Sequence, residues 1–87
     1  MYHIRDYTKR RAEQLNLHVE PSHNPKKKMD VYHDGKLIAS VGDINYKDYP
    51  TYLEEDGRSK ADERRRLYHL RHTKNTLNER LALYLLW

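Results

Sequence analysis

The residues of this sequence best suited to chemistry are basic side chains grouped near a tyrosine. Three consecutive lysines precede a predicted hairpin, and a second basic group lies in a predicted long helix. At about 100° per residue, Arg64, Arg71 and Lys74 fall near one side of that helix, with Tyr68 and His72 beside them. Such a face can contact phosphates while a tyrosine stacks on a base. The predicted nucleic-acid-binding residues are Lys26, Lys27, Lys28, Arg64, Arg65, Arg71, Lys74 and Tyr68.

The same arginines have a simpler interpretation as a solvated helix face. Pairs four residues apart, such as Asp62 with Arg66, keep a helix soluble without any ligand. The net charge of +4, from 17 Lys and Arg against 13 Asp and Glu, permits an acidic partner but is also compatible with ordinary solubility. Nucleic acid or another acidic surface is therefore the predicted partner, and the solvated face stays open as an alternative.

Histidines and carboxylates form no recognisable metal site or catalytic centre. His69 and His72 are three residues apart, but no cysteine or carboxylate completes a ligand spacing. The sequence has no nucleophile motif and no glycine-rich phosphate loop, and its acidic residues follow no order typical of a magnesium-dependent nuclease. We therefore predict a protein that is not an enzyme and that folds without metal or cofactor.

The composition predicts one small domain, residues 1–87, because two domains would each bury too little apolar surface. With eight tyrosines and no phenylalanine, tyrosine is the main aromatic packing residue. The absence of cysteine excludes disulfides and thiolate metal sites. The amino-terminal residues contain no apolar run typical of a signal peptide, and no stretch approaches a membrane span, so we expect neither secretion nor membrane insertion.

The amino-terminal half predicts a helix followed by strands. Residues 6–15 form a helix capped by Asp6 and stopped by Asn16, and residues 17–20 alternate as a strand. Residues 21–25 are a predicted loop. The segments KKKMDVYH and KLIASV flank Asp34 and Gly35, which favour a two-residue hairpin turn. That turn predicts Val31 opposite Ile38 and Met29 opposite Ser40.

The remaining residues predict helices. Residues 50–56 form a short helix stopped by Gly57, Ser59 caps a helix that reaches residue 72, and Thr76 with Glu79 opens a final buried helix. Tyr46, Tyr49 and Tyr52 would share a face if all three were helical. The predicted fold is α+β, with a small antiparallel hairpin or three-stranded sheet packed against an N-terminal helix and two or three C-terminal helices.

Three segments carry a family resemblance: GDINYKDYPTYLEEDG, ADERRRLYHLRH and the final LLW. The chain resembles a small uncharacterised protein family of large double-stranded DNA viruses of algae and protists, over most of its length and most specifically over residues 43–72. The resemblance implies a viral setting, in the host cytoplasm or the virion, and no mechanism. Family members have a longer, glycine-containing basic insert before LLW, where this chain has TLNERLALY.

Together these observations predict a viral accessory or virion-associated protein that binds nucleic acid without sequence preference. One alternative is a minor virion structural (capsid cement) protein that contacts capsid subunits through its tyrosines and Trp87. A third hypothesis is an inhibitor of a host factor. The sequence leaves open DNA versus RNA and the oligomeric state.

Overall fold

A three-stranded antiparallel sheet and four helices make up the fold in the computed structural model, which describes residues 2–87. Within them the chain forms α1 (Asp6–Gln14), β1 (His18–Pro21), β2 (Lys27–His33), β3 (Lys36–Asp43), α2 (Tyr49–Asp56), α3 (Arg58–Arg71) and α4 (Leu77–Leu86). The strands lie in the order β1-β2-β3, each antiparallel to the next. This arrangement confirms the predicted α+β fold, in its three-stranded form.

The hairpin turn lies at the predicted dipeptide. Asp34 and Gly35 have φ angles of 50° and 78°, which are the positive values of a tight two-residue hairpin turn. His33 pairs with Lys36 and Tyr32 with Leu37, as the turn predicts.

The rest of the predicted register is wrong by one residue. A bulge between Val31 and Tyr32 leaves Ile38 without a cross-strand partner. Val31 therefore pairs with Ala39, and Met29 with Val41. An extra residue in one strand shifts every later pair and exchanges the faces of the sheet. Ala39 and Val41 are therefore buried in place of Ile38, which is only half-buried.

Helices α1 and α4 cover the apolar face of the sheet. Helix α4 packs against β3 and α1, and the Thr8 hydroxyl donates to the Leu85 backbone oxygen at 2.8 Å. Leu81, Leu85 and Trp87 are buried, which confirms that the final helix belongs to the core. Asn16 adopts the predicted left-handed conformation, with φ 58°.

The helix caps were predicted in part. Thr76 caps α4 by accepting a hydrogen bond from the Glu79 amide, as predicted. Ser59 is not a cap, because α3 begins at Arg58 and Ser59 lies inside the helix. Asp6 lies inside α1, and Arg5 occupies the cap position. Helix α2 is capped by Asp48, which the sequence reading missed.

A buried carboxylate attaches the loop after β1 to the sheet. Asp30 on β2 accepts from the hydroxyls of Ser22 and Ser40, both at 2.6 Å, and lies 2.5 Å from Nδ1 of His23. Burial alone would raise the pKa of Asp30, but these hydrogen bonds hold it well below its ordinary range. Asp30 is therefore charged in the folded protein at all but strongly acidic pH.

Gly42 is the glycine whose replacement costs most. Its φ is +83°, and an added Cβ would lie 2.9 Å from Leu86 Cδ1 and 3.1 Å from Lys28 Cβ, both on buried residues. Gly35, at φ +78°, would place an added Cβ with nothing within 4 Å, so it is a matched control for backbone strain alone.

We expect Gly35→Ala to lower the free energy of unfolding by about 1 kcal/mol in urea titrations. Gly42→Ala should lower it by about 1 to 3 kcal/mol more than Gly35→Ala does, because its Cβ also meets buried neighbours. Equal losses would show that the close contact at Gly42 costs nothing.

Candidate nucleic-acid interface

A cleft of about 510 Å³ lies between α3, the end of α4 and the loop that follows β3. Its aromatic lining residues are Tyr46, Tyr52, Tyr68 and Trp87, and its basic or ionisable ones include Lys28, Lys47, Arg64, Arg71 and His72. We call this the aromatic cleft. A shallower groove of about 670 Å³ beside β1 carries Glu13, Glu20 and Asp34, whose charges would repel phosphate. The aromatic cleft is therefore the better candidate site for an acidic ligand.

Arg64 and Arg71 are the free cations of the aromatic cleft. They are seven residues apart on α3, so two helical turns separate them by about 10 Å along one face. Both are exposed, and neither forms an ion pair with any carboxylate of residues 2–87. The Arg64 guanidinium lies 5.9 Å from the centre of the Tyr52 ring. The structure thus brings these two predicted residues together.

Lys74 does not share their helix face. Helix α3 ends at Arg71, and Lys74 lies in the extended link before α4, outside the lining of the aromatic cleft. The prediction assumed that the helical period continued beyond residue 72. The exposed ammonium of Lys74 is therefore separate from the Arg64 and Arg71 pair.

Arg65 is engaged within the protein. Its Nε donates to the Trp87 backbone oxygen at 2.6 Å, another guanidinium nitrogen donates to the Tyr7 hydroxyl at 2.9 Å, and Cζ lies 4.0 Å from the centre of the Tyr49 ring. These contacts join α3 to α1 and to the end of the chain. Its guanidinium therefore holds the fold together and is not free for phosphate.

Tyr68 cannot offer an open ring face to a base. The His72 ring stacks on it at 3.8 Å and 16°, and the Trp87 ring at 4.1 Å and 10°. Two nearly parallel rings so close to one centre would overlap if they shared a face, so they cover opposite faces. Burial also raises the pKa of the Tyr68 hydroxyl. Tyr68 is the middle of a three-ring stack, a role that α-helical spacing could not show.

Tyr46 is the aromatic ring that remains available. It is 71% exposed, lines the aromatic cleft and lies in the loop before α2. The condition for a shared face of Tyr46, Tyr49 and Tyr52 is not met, because Tyr46 precedes α2, and Tyr49 is buried. A proline at the start of α2 was the sequence signal that Tyr46 lies outside the helix.

The three lysines before the hairpin occupy three different environments. Lys26 is exposed in the turn before β2, Lys27 is half-buried, and Lys28 is 4% exposed. Alternation along a strand separates neighbouring side chains, so consecutive lysines in β2 cannot act as one patch. Lys26 and Lys27 lie outside the lining of the aromatic cleft.

Lys28 forms a buried ion pair with Asp48, with 2.9 Å between Nζ and Oδ2. Asp48 also accepts from the Thr51 amide and hydroxyl, at 3.0 and 2.7 Å, and from the Tyr2 hydroxyl. Burial opposes the charge on Asp48, but Lys28 and these hydrogen bonds hold its pKa below the ordinary value. Burial lowers the pKa of Lys28 although Asp48 favours its charge. Lys28 is therefore a structural cation, not a phosphate contact.

No protein-family model, curated protein or solved structure matches this chain. The resemblance to a viral family therefore stays a prediction. Residues 2–87 contain no group of three or more metal-ligating side chains. In the same part of the chain no helix is long and apolar enough to cross a membrane.

Removing one member of the Lys28–Asp48 pair leaves a buried charge without its counterion. We expect Lys28→Met and Asp48→Asn each to lower the free energy of unfolding by about 3 to 5 kcal/mol. The double variant replaces both charges and should lose less than either single variant. Urea titrations followed by the fluorescence of the single tryptophan measure all three, and strictly additive losses would contradict the coupling.

Proposed function

We propose that this protein binds nucleic acid without sequence preference, and without catalysing a reaction, through the aromatic cleft. The observation that carries the proposal is the pairing of two exposed, unpaired arginines, Arg64 and Arg71, with a concave aromatic surface. Guanidinium groups bind phosphate through several hydrogen bonds at once. Neither phosphate contact nor ring stacking distinguishes one base from another.

The charged groups of the aromatic cleft are divided between paired and free side chains. Lys47 is paired with Glu55 and Asp56, at 3.2 and 3.1 Å, and Lys28 with Asp48. Asp43 also lines the cleft and is exposed, and the Glu79 carboxylate lies beside His72, so both oppose an anion. Arg64 and Arg71 have no carboxylate partner within residues 2–87, so their charges are the ones available to a phosphate.

The shape of the aromatic cleft favours unpaired bases. Its volume of about 510 Å³ is in the range of sites for small groups, and Tyr46 offers an open ring face. Bases in a duplex are already stacked on their neighbours and present only their edges. We propose that single strands are the preferred ligand.

The resemblance to the viral family supports a setting in the host cytoplasm or the virion, as an accessory or virion-associated protein. The capsid-cement hypothesis requires no affinity for nucleic acid, and neither does the inhibitor hypothesis. A binding measurement therefore separates the proposal from both.

The charge-reversed variant Arg64→Glu/Arg71→Glu tests the phosphate contacts. We expect it to bind a labelled oligonucleotide far more weakly than the parent, and the salt dependence of its affinity to be shallower by about 1.4 in log–log slope for single strands. Fluorescence anisotropy over a salt series measures both quantities. Lys9→Glu/Arg10→Glu, on the exposed side of α1, makes the same change of net charge outside the cleft and should keep the parental slope. No binding by the parent even at low salt, or equal loss in both variants, would refute the site.

Tyr46→Ala tests the stacking contact. Because only unpaired bases can lie on the ring, we expect affinity for a single strand to fall by about 1 to 3 kcal/mol while affinity for duplex changes little. Tyr32→Ala, on the sheet outside the aromatic cleft, is the matched control. A uniform loss for single strand and duplex would remove Tyr46 from the proposed interface.

A further inference from the structure

His72 lies at the edge of the aromatic cleft and is held from two sides. Its ring stacks on Tyr68, and its Nδ1 lies 2.7 Å from a Glu79 carboxylate oxygen at the start of α4. The His72 side chain is 39% exposed, whereas the Glu79 side chain is 17% exposed. The imidazole is therefore fixed in orientation and still partly exposed to solvent.

The contact with Glu79 determines which nitrogen can change its charge state. A carboxylate accepts a hydrogen bond, so Nδ1 carries the proton of the neutral imidazole. Nε2, which has no hydrogen-bond partner within residues 2–87, then holds the free lone pair. A second proton can be added only at Nε2, and it turns that atom from an acceptor that repels phosphate into a cationic donor that binds it.

We propose that His72 is a third phosphate-binding residue of the aromatic cleft, active in its protonated form. The inference rests on the proposed function, since it places His72 beside the Arg64 and Arg71 contacts. Histidine is the side chain whose charge ordinarily changes between about pH 5 and 8. We therefore expect nucleic-acid binding to be stronger at lower pH, where a histidine side chain is protonated.

The charged groups around His72 favour a phosphate contact only when its imidazole is protonated. Arg71 precedes it at the end of α3, Glu79 contacts it from α4, Asp43 also lines the cleft, and Lys74 follows in the link. With neutral His72, the Glu79 carboxylate and the negative end of the α3 macrodipole both repel a phosphate at this edge. Protonation cancels the Glu79 charge locally and adds a donor, so the edge becomes suitable for an anion.

The log–log slope of affinity against salt concentration increases with the number of protein cations that contact phosphate. Measuring this slope at two pH values tests whether His72 is one of them. The probe is a labelled oligothymidylate, whose bases do not titrate between about pH 5.5 and about pH 7.5. We expect the log–log slope of the parent to be steeper by about 0.7 at the lower pH, and the slope of His72→Gln to be the same at both. His69→Gln, in the last turn of α3 but outside the cleft lining, should behave as the parent.

We expect the fold to be retained at the lower pH, because the pKa values of Asp30 and Asp48 lie below the ordinary one and both carboxyl groups stay ionised there. The emission of Trp87 checks that the ring stack survives each substitution. Glu79→Gln is a second variant: its amide oxygen can still accept from Nδ1, so the pH dependence should remain.

Three outcomes overturn the inference. If the parent binds with the same slope at both pH values, or if His72→Gln keeps the difference, His72 does not contact phosphate, and the proposed function stands on Arg64 and Arg71. If the parent binds at neither pH, the proposed function fails and the role of His72 fails with it.

Discussion

The buried contact between Lys28 and Asp48 joins the sheet to the pair of helices α2 and α3. Helices α2 and α3 pack mainly on each other, while α1 and α4 pack with the sheet. Lys28 comes from β2 and Asp48 caps α2, so one ion pair attaches the helix pair to the sheet and starts its first helix. Because two buried charges are tolerated only when they are paired and hydrogen-bonded, the geometry of this junction is tightly restricted.

Other polar and aromatic contacts complete the same junction. Arg65 spans from α3 to Tyr7 and Trp87, and Arg5 pairs with Glu54 at 2.9 Å. Trp87 stacks on Tyr68, which brings the end of the chain against α3. The aromatic cleft lies along this junction, so its shape depends on contacts that also hold the domain together. Some of the basic side chains stabilise the fold, and only the others are free to bind a ligand.

Burial and pairing separate these two uses of positive charge. Lys28 is buried and paired with Asp48, and Arg65 is half-buried and donates to Trp87 and Tyr7, whereas Arg64 and Arg71 face solvent without a carboxylate partner. A charge that is already paired gains little from a phosphate, because binding would have to break the existing contact. His72 belongs to both groups, since Glu79 fixes one nitrogen and leaves the other free. The candidate site is therefore smaller than the set of basic residues.

The sequence by itself determined the features that depend on neighbouring residues. The Asp34–Gly35 turn, the left-handed Asn16, the Thr76 cap and the type and order of the elements all follow from local backbone preferences, and each has the predicted form. The face of Arg64 and Arg71 was also predictable, because seven residues make nearly two full turns of a helix.

Only the tertiary structure decided which side chains are free. Lys26, Lys27 and Lys28 are identical in the sequence, yet Lys28 is buried by partners 20 or more residues away, Asp48 among them. The rings that cover Tyr68 come from His72, four residues on, and from Trp87, at the end of the chain. The bulge that leaves Ile38 half-buried lies between Val31 and Tyr32, beyond the two pairs nearest the turn. Burial and long-range pairing arise from the whole fold, so no local pattern of residues carries them.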